Sequence, residues 1–119
     1  MSHSTHRGNW DGRWYRVHTE HFKAAFLPSP DEGLESVDNV DVFVELEDGS
    51  RWSATLITLA QVEAIMARWV ESGEALGGRY FWSSDGLIVR DAGISSMTEV
   101  LVGLAENGEL TQALRRLND

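Results

Sequence analysis

From position 40 the chain alternates: Val40, Val42, Val44 and Leu46 are separated by Asp41, Phe43 and Glu45, with Glu47 following. A period of two is the signature of a strand with one buried face. Residues 51–57 repeat it with Trp52, Ala54 and Leu56 on even positions, and Asp48-Gly49 marks a hairpin turn between the two runs. Opposed residues share a face, so parity selects the loop. A two-residue loop would pair Leu46 with Arg51 and Val44 with Ser53, mixing apolar with polar. A three-residue loop, Glu47-Asp48-Gly49, pairs Val44 with Trp52, Val42 with Ala54 and Val40 with Leu56. It predicts a type I turn closed by Gly49 in the left-handed region as a G1 bulge.

The period then lengthens to that of a helix. Thr58 and Gln61 have capping-box spacing, and Leu59, Val62, Ile65, Met66, Trp69 and Val70 fall on one arc, opposite Gln61, Arg68, Glu71 and Ser72. Gly73 follows as a C-terminal cap. The greasy stripe is expected to cover the Val/Trp/Leu face of the hairpin.

Elsewhere the pattern is shorter in range. Residues 1–9 are small and polar and read as a disordered tail. Trp10-Asp11-Gly12-Arg13-Trp14 suggests a tight turn between aromatic flanks. In residues 18–27, Phe22 and Phe26 suit helical spacing while Phe22, Ala24 and Phe26 also alternate, and the strand reading is preferred. Residues 28–33, with two prolines and a glycine, are a loop, continued by an acidic connector over 34–39. After the helix, Gly77-Gly78 turns the chain into an aromatic strand over 79–83. Ser84-Asp85-Gly86 makes a second turn, and residues 87–90 return as a hairpin. Both strands are apolar on consecutive positions, which suits a central place or one under a helix. Ser96 and Glu99 have capping-box spacing for a helix with Met97, Val100, Leu101 and Leu104 on one face, Gly103 inside and Gly108 at its end. Leu110, Ala113, Leu114 and Leu117 mark a last short helix. The fold class is therefore α+β: one domain over 10–119, an antiparallel sheet of about four to six strands with about two to three helices packed on one face.

The chain has 119 residues and no cysteine, which excludes disulfides, thiolate metal sites and cysteine nucleophiles. It has neither an apolar run long enough to span a membrane nor an N-terminal secretory pattern, and a cytoplasmic location fits best. The net charge of −9 is unevenly spread. Residues 24–50 hold eight acidic residues (Asp31, Glu32, Glu35, Asp38, Asp41, Glu45, Glu47, Asp48) and no basic one. Such a segment repels nucleic acid and anionic membranes and attracts cationic partners, although it also serves solubility.

Candidate chemistry is sparse. His18 and His21 would share a helix face but point apart on a strand, and nothing in the sequence marks a third metal ligand. His3 and His6 lie in the expected tail. Ser83, Ser84 and Asp85 suit a turn, and no nucleophile-elbow pattern surrounds them. Gly73, Gly77 and Gly78 match no phosphate-binding fingerprint. No catalytic residue, metal or cofactor is implied. Of five tryptophans, Trp52 and Trp69 fall on faces expected to be buried, while Trp82, beside Asp85, has the character of an interface anchor.

Asp48-Gly49-Ser50-Arg51-Trp52-Ser53-Ala54-Thr55, followed by Gly78-Arg79-Tyr80-Phe81-Trp82-Ser83-Ser84-Asp85, resembles a group of small bacterial proteins that carry a D-G-x-x-[YW]-x-A-T hairpin, a helix and a G-x-Y-F-W strand. The match runs over residues 40–110. By size and acidity such proteins are similar to immunity proteins, and the resemblance implies a non-enzymatic protein that neutralises a basic partner, a toxin among the candidates. Asp38, Asp41, Glu45, Glu47, Asp48, Trp82 and Asp85 are the residues expected to meet it. The alternative is a small-ligand-binding domain or enzyme, with a pocket between sheet and helices lined by Tyr80, Trp82 and His18.

Overall fold

The computed structural model describes residues 8–117. Of the expected tail, residues 1–7 lie outside that range, whereas Gly8 and Asn9 already belong to a strand. The order is β1 (Gly8–Asp11), β2 (Trp14–His18), β3 (Phe22–Leu27), a 3₁₀ turn (Leu34–Ser36), β4 (Asn39–Leu46), β5 (Arg51–Thr58), α1 (Leu59–Ser72), α2 (Glu74–Gly78), β6 (Gly86–Val89), α3 (Ile94–Glu106), α4 (Leu110–Ala113) and β7 (Arg115–Leu117). The class is α+β, with a seven-stranded sheet in the order β1-β2-β3-β4-β5-β6 and β7 also paired to β5. All pairings are antiparallel except β5 with β6. Among the described residues no helix is long and apolar enough to cross a membrane.

The central hairpin has the register that parity selects: Val44 opposite Trp52, Val42 opposite Ala54, Val40 opposite Leu56. Its loop is the three-residue one. The Gly49 N–H donates to the Leu46 carbonyl at 3.0 Å, the Leu46 N–H donates to the Ser50 carbonyl at 3.0 Å, and Gly49 has φ 84°. β3 continues the same face, with Phe22, Ala24 and Phe26 opposite Leu46, Val44 and Val42. The strand reading of this segment is correct, and the 10–14 turn lies between β1 and β2 as expected.

What covers this face differs from expectation. Val42, Val44, Leu56 and Phe26 share one core with Ile94, Met97 and Leu101 of α3 and Leu110 and Leu114 beyond it. Positions 94, 97, 98 and 101 repeat at helical spacing and are all buried. α1 has the Thr58 cap, whose hydroxyl accepts from the Gln61 N–H at 3.1 Å, and ends on left-handed Gly73. Yet Val62 is its sole buried residue, and Leu59 and Val70 are 59% and 67% exposed. The reason is topological. α1 connects β5 to a strand parallel to it, the crossover that parallel pairing requires. Ile57, which alternation turns away from the α3 side, is buried although it lies outside the main core.

Three other expectations are corrected. Residues 79–83 form no strand and no hairpin with 87–90: β6 pairs in parallel with β5 instead, and the chain before it returns along α1, where Phe81 stacks on Trp69 at 6.0 Å. α3 starts at Ile94 rather than at a Ser96–Glu99 box. Gly93, with φ 105° and its N–H donating to the Val37 carbonyl at 2.8 Å, sits so close to Glu35 that a Cβ would lie 3.0 Å from the Glu35 carbonyl oxygen. The last helix stops at Ala113, and Arg115–Leu117 pairs with Arg51–Ser53.

Two stability measurements test this packing. No atom lies within 4 Å of a Cβ built on Gly49, so Gly49→Ala incurs the left-handed backbone penalty alone. A loss of about 1–2 kcal/mol is expected by chemical denaturation. In α3, the buried Thr98 Oγ1 has no hydrogen-bond partner. Thr98→Val keeps the shape and removes the orphan hydroxyl, and should raise stability by about 1 kcal/mol.

Candidate functional site

The acidic residues expected to act together are dispersed along the hairpin. Glu45 stands in register between Lys23 and Arg51, so cross-strand neighbours supply the basic groups that the linear segment lacks. Asp41 accepts from the Thr55 hydroxyl at 2.8 Å. Asp38 lies at the α1 end, where its carbonyl accepts from the Thr58 N–H at 2.9 Å, and Asp85 lies across the opposite edge of β5, its carbonyl accepting from the Thr55 N–H at 3.0 Å. Glu47 and Asp48 occupy the loop at the other end. The Asp48 carboxylate is engaged within its own loop. Ser50 donates to it from its hydroxyl at 2.5 Å and from its backbone N–H at 2.8 Å, and the Trp52 indole N–H donates to the same hydroxyl at 2.9 Å. The Ser50 hydroxyl, first, and its N–H hold the Asp48 pKa below its ordinary value.

On the sheet face away from α3, β1 to β5 and β7 form a groove of about 700 Å³. Trp14 and Phe43 meet edge to face in it at 5.4 Å, and Arg16 is bridged to Asp11 at 2.8 Å. Arg16, Lys23 and Arg51 outnumber Asp11 and Glu45 along its wall, and His18 adds an imidazole. The groove therefore lies on the opposite side of the sheet from α3, and of the three residues expected to line a pocket His18 does so while Tyr80 and Trp82 do not.

The other notable surface is the arm formed by α1, α2 and the segment to β6. Six of the eight large hydrophobic residues exposed on the described chain come from residues 59–88: Leu59, Val70, Leu76, Tyr80, Trp82 and Ile88. Trp82 is 77% exposed and Leu76 is 71% exposed. Leu76 is held outward by an unusual backbone: Ala75, Leu76, Gly77 and Gly78 all have φ between 49° and 81°, a single left-handed turn. For Ala75 and Leu76 this costs roughly 1–2 kcal/mol per residue. Gly78 cannot be replaced without conflict, since a Cβ there would run into the Met66 carbonyl of α1. Sequence reasoning found Trp82 through its neighbours but missed Leu76, because no local rule forecasts a left-handed turn at an Ala-Leu pair.

Ser83 and Ser84 are exposed and lie in and beside a turn. His18 and His21 do not converge: His18 lines the groove, while His21 reaches Glu106 at 3.4 Å and Glu20 at 3.6 Å. Those three are a candidate set of metal ligands that strand spacing alone could not reveal.

Neither family models, curated proteins nor solved structures give a match to this chain.

The Asp48 network gives a direct test. In a carboxyl-detected titration Asp48 should protonate below its ordinary value of 3.8, and Ser50→Ala should bring it back up. A depressed folded-state pKa stabilises the fold above the unfolded value, and that contribution fades as pH falls through the folded one.

Proposed function

We propose that this chain is a non-enzymatic, cytoplasmic binding protein of the immunity-like kind, and that the arm over residues 59–88 is where it meets a basic protein partner. The observation that carries the reading is the concentration of exposed apolar side chains there, led by Trp82. A surface without a partner scatters such residues singly, whereas clustering marks an interaction site. Exposed Trp and Tyr are the side chains that anchor interfaces when they enter a partner's pocket. The surrounding charges favour a cation: Glu63, Glu71, Glu74 and Asp85 outnumber Arg68 and Arg79 within the stretch, and Asp38 adjoins its start. Opposite charge around an apolar centre speeds encounter and fixes orientation.

A second reading rests on the groove, whose volume and aromatic floor suit a small anionic or aromatic ligand. The two separate by mutation. Trp82→Ala should weaken the captured partner about tenfold or more, with association slowing as salt rises, while Phe43→Ala leaves binding unchanged. Full affinity in the Trp82→Ala protein would sink the arm reading, and a loss confined to Phe43→Ala would favour the groove.

A further inference from the structure

The end of the sheet remote from α1 holds a side-chain cluster that the proposed binding surface does not use. The turn between β2 and β3 is fixed from inside by Thr19. Its buried hydroxyl accepts from the backbone N–H groups of His21 and Phe22, each at 3.1 Å, and donates to the Phe22 carbonyl at 3.2 Å. This lock sets the backbone from which Glu20 and His21 project. Glu106, the last residue of α3, approaches from the other side, 85 positions along the chain. One ligand atom from each of Glu20, His21 and Glu106 lies within 4.8 Å of the others, the one such group among the described residues.

Two features of the geometry distinguish this cluster from an ordinary ion pair. The His21 Nε2 faces two carboxylate oxygens, Glu106 Oε2 at 3.4 Å and Glu20 Oε1 at 3.6 Å, and a single N–H serves one of them. Both separations also exceed the roughly 2.7–2.9 Å of a charge-assisted hydrogen bond. Ligands around a tetrahedral zinc ion, each about 2.0–2.1 Å from the metal, stand roughly 3.3–3.4 Å apart. The two separations from His21 are close to that edge, and the third pair lies within 4.8 Å. Two carboxylates and a neutral imidazole also match a divalent charge.

We propose that Glu20, His21 and Glu106 bind one divalent transition-metal ion of the Zn²⁺ type, with water completing the coordination. The imidazole selects borderline metals over Ca²⁺ and Mg²⁺, which take oxygen ligands. The ion ties the β2–β3 turn to the end of α3, so binding is linked to folding and raises the melting midpoint. The fold itself rests on the hydrophobic core and does not require the metal.

The test is calorimetric titration of the full chain with Zn²⁺, in a background of His3→Ala and His6→Ala so that the N-terminal histidines contribute nothing. One equivalent should bind, and Ca²⁺ should bind at least about tenfold more weakly. His21→Ala and Glu106→Gln, both near the surface, should each weaken Zn²⁺ about tenfold or more and abolish the zinc-induced rise in melting midpoint. His18→Ala should change neither. An isotherm identical in the His21→Ala protein, or no binding tighter than about 1 mM, would overturn the proposal.

Discussion

The structure depends on one packed face: the even-numbered residues of the β4–β5 hairpin lying under α3. Val42, Val44 and Leu56 are almost wholly removed from water, as are Met97 and Leu101. Each such side chain contributes on the order of 1.5–3 kcal/mol by burial. A slip of one residue in the hairpin would turn the valines to solvent and put Asp41 and Glu45 beneath the helix. The loop at Glu47-Asp48-Gly49 is what forbids the slip, and the Trp52–Ser50–Asp48 hydrogen bonds brace that loop against the edge of the core.

The hairpin was legible because every signal for it is local. Parity, the Asp-Gly pair and the capping threonine act within a few residues of one another. Which helix covers the hairpin was not legible, for α1 and α3 both carry an apolar stripe, and a stripe says nothing about which side of a sheet it will reach. The aromatic run at 79–83 has high β propensity, but its Phe81 stacks on Trp69 of α1 instead of entering the sheet. Tertiary context overrides propensity in that situation. The acidic block misleads in a similar way. It is uniform along the chain, yet Lys23 and Arg51 flank Glu45 across the strands. Glu106 joins His21 from a distance that no spacing rule covers.

The sheet keeps its candidate surfaces apart. Its α1 end carries the apolar arm, attached to the body through β5 and β6, and its other end carries the carboxylate–imidazole cluster between a strand turn and a helix end. The groove runs across the face between them. Such separation follows from the topology: the core engages α3 fully and leaves α1 half-bare. An element with few buried contacts is where a protein opens most readily, so movement of the arm would leave the core undisturbed.

The two short strands that flank β5 have a further consequence. β6 lies parallel along its last four residues and β7 antiparallel along its first three, so neither continues the other's direction. An incoming chain therefore meets a broken row of backbone groups too short to template a new strand. The opposite margin is the four-residue β1, with Asp11 and Arg16 bridged beside it. In a sheet rich in valine and aromatic residues, borders interrupted in this way work against edge-to-edge pairing without relying on surface charge.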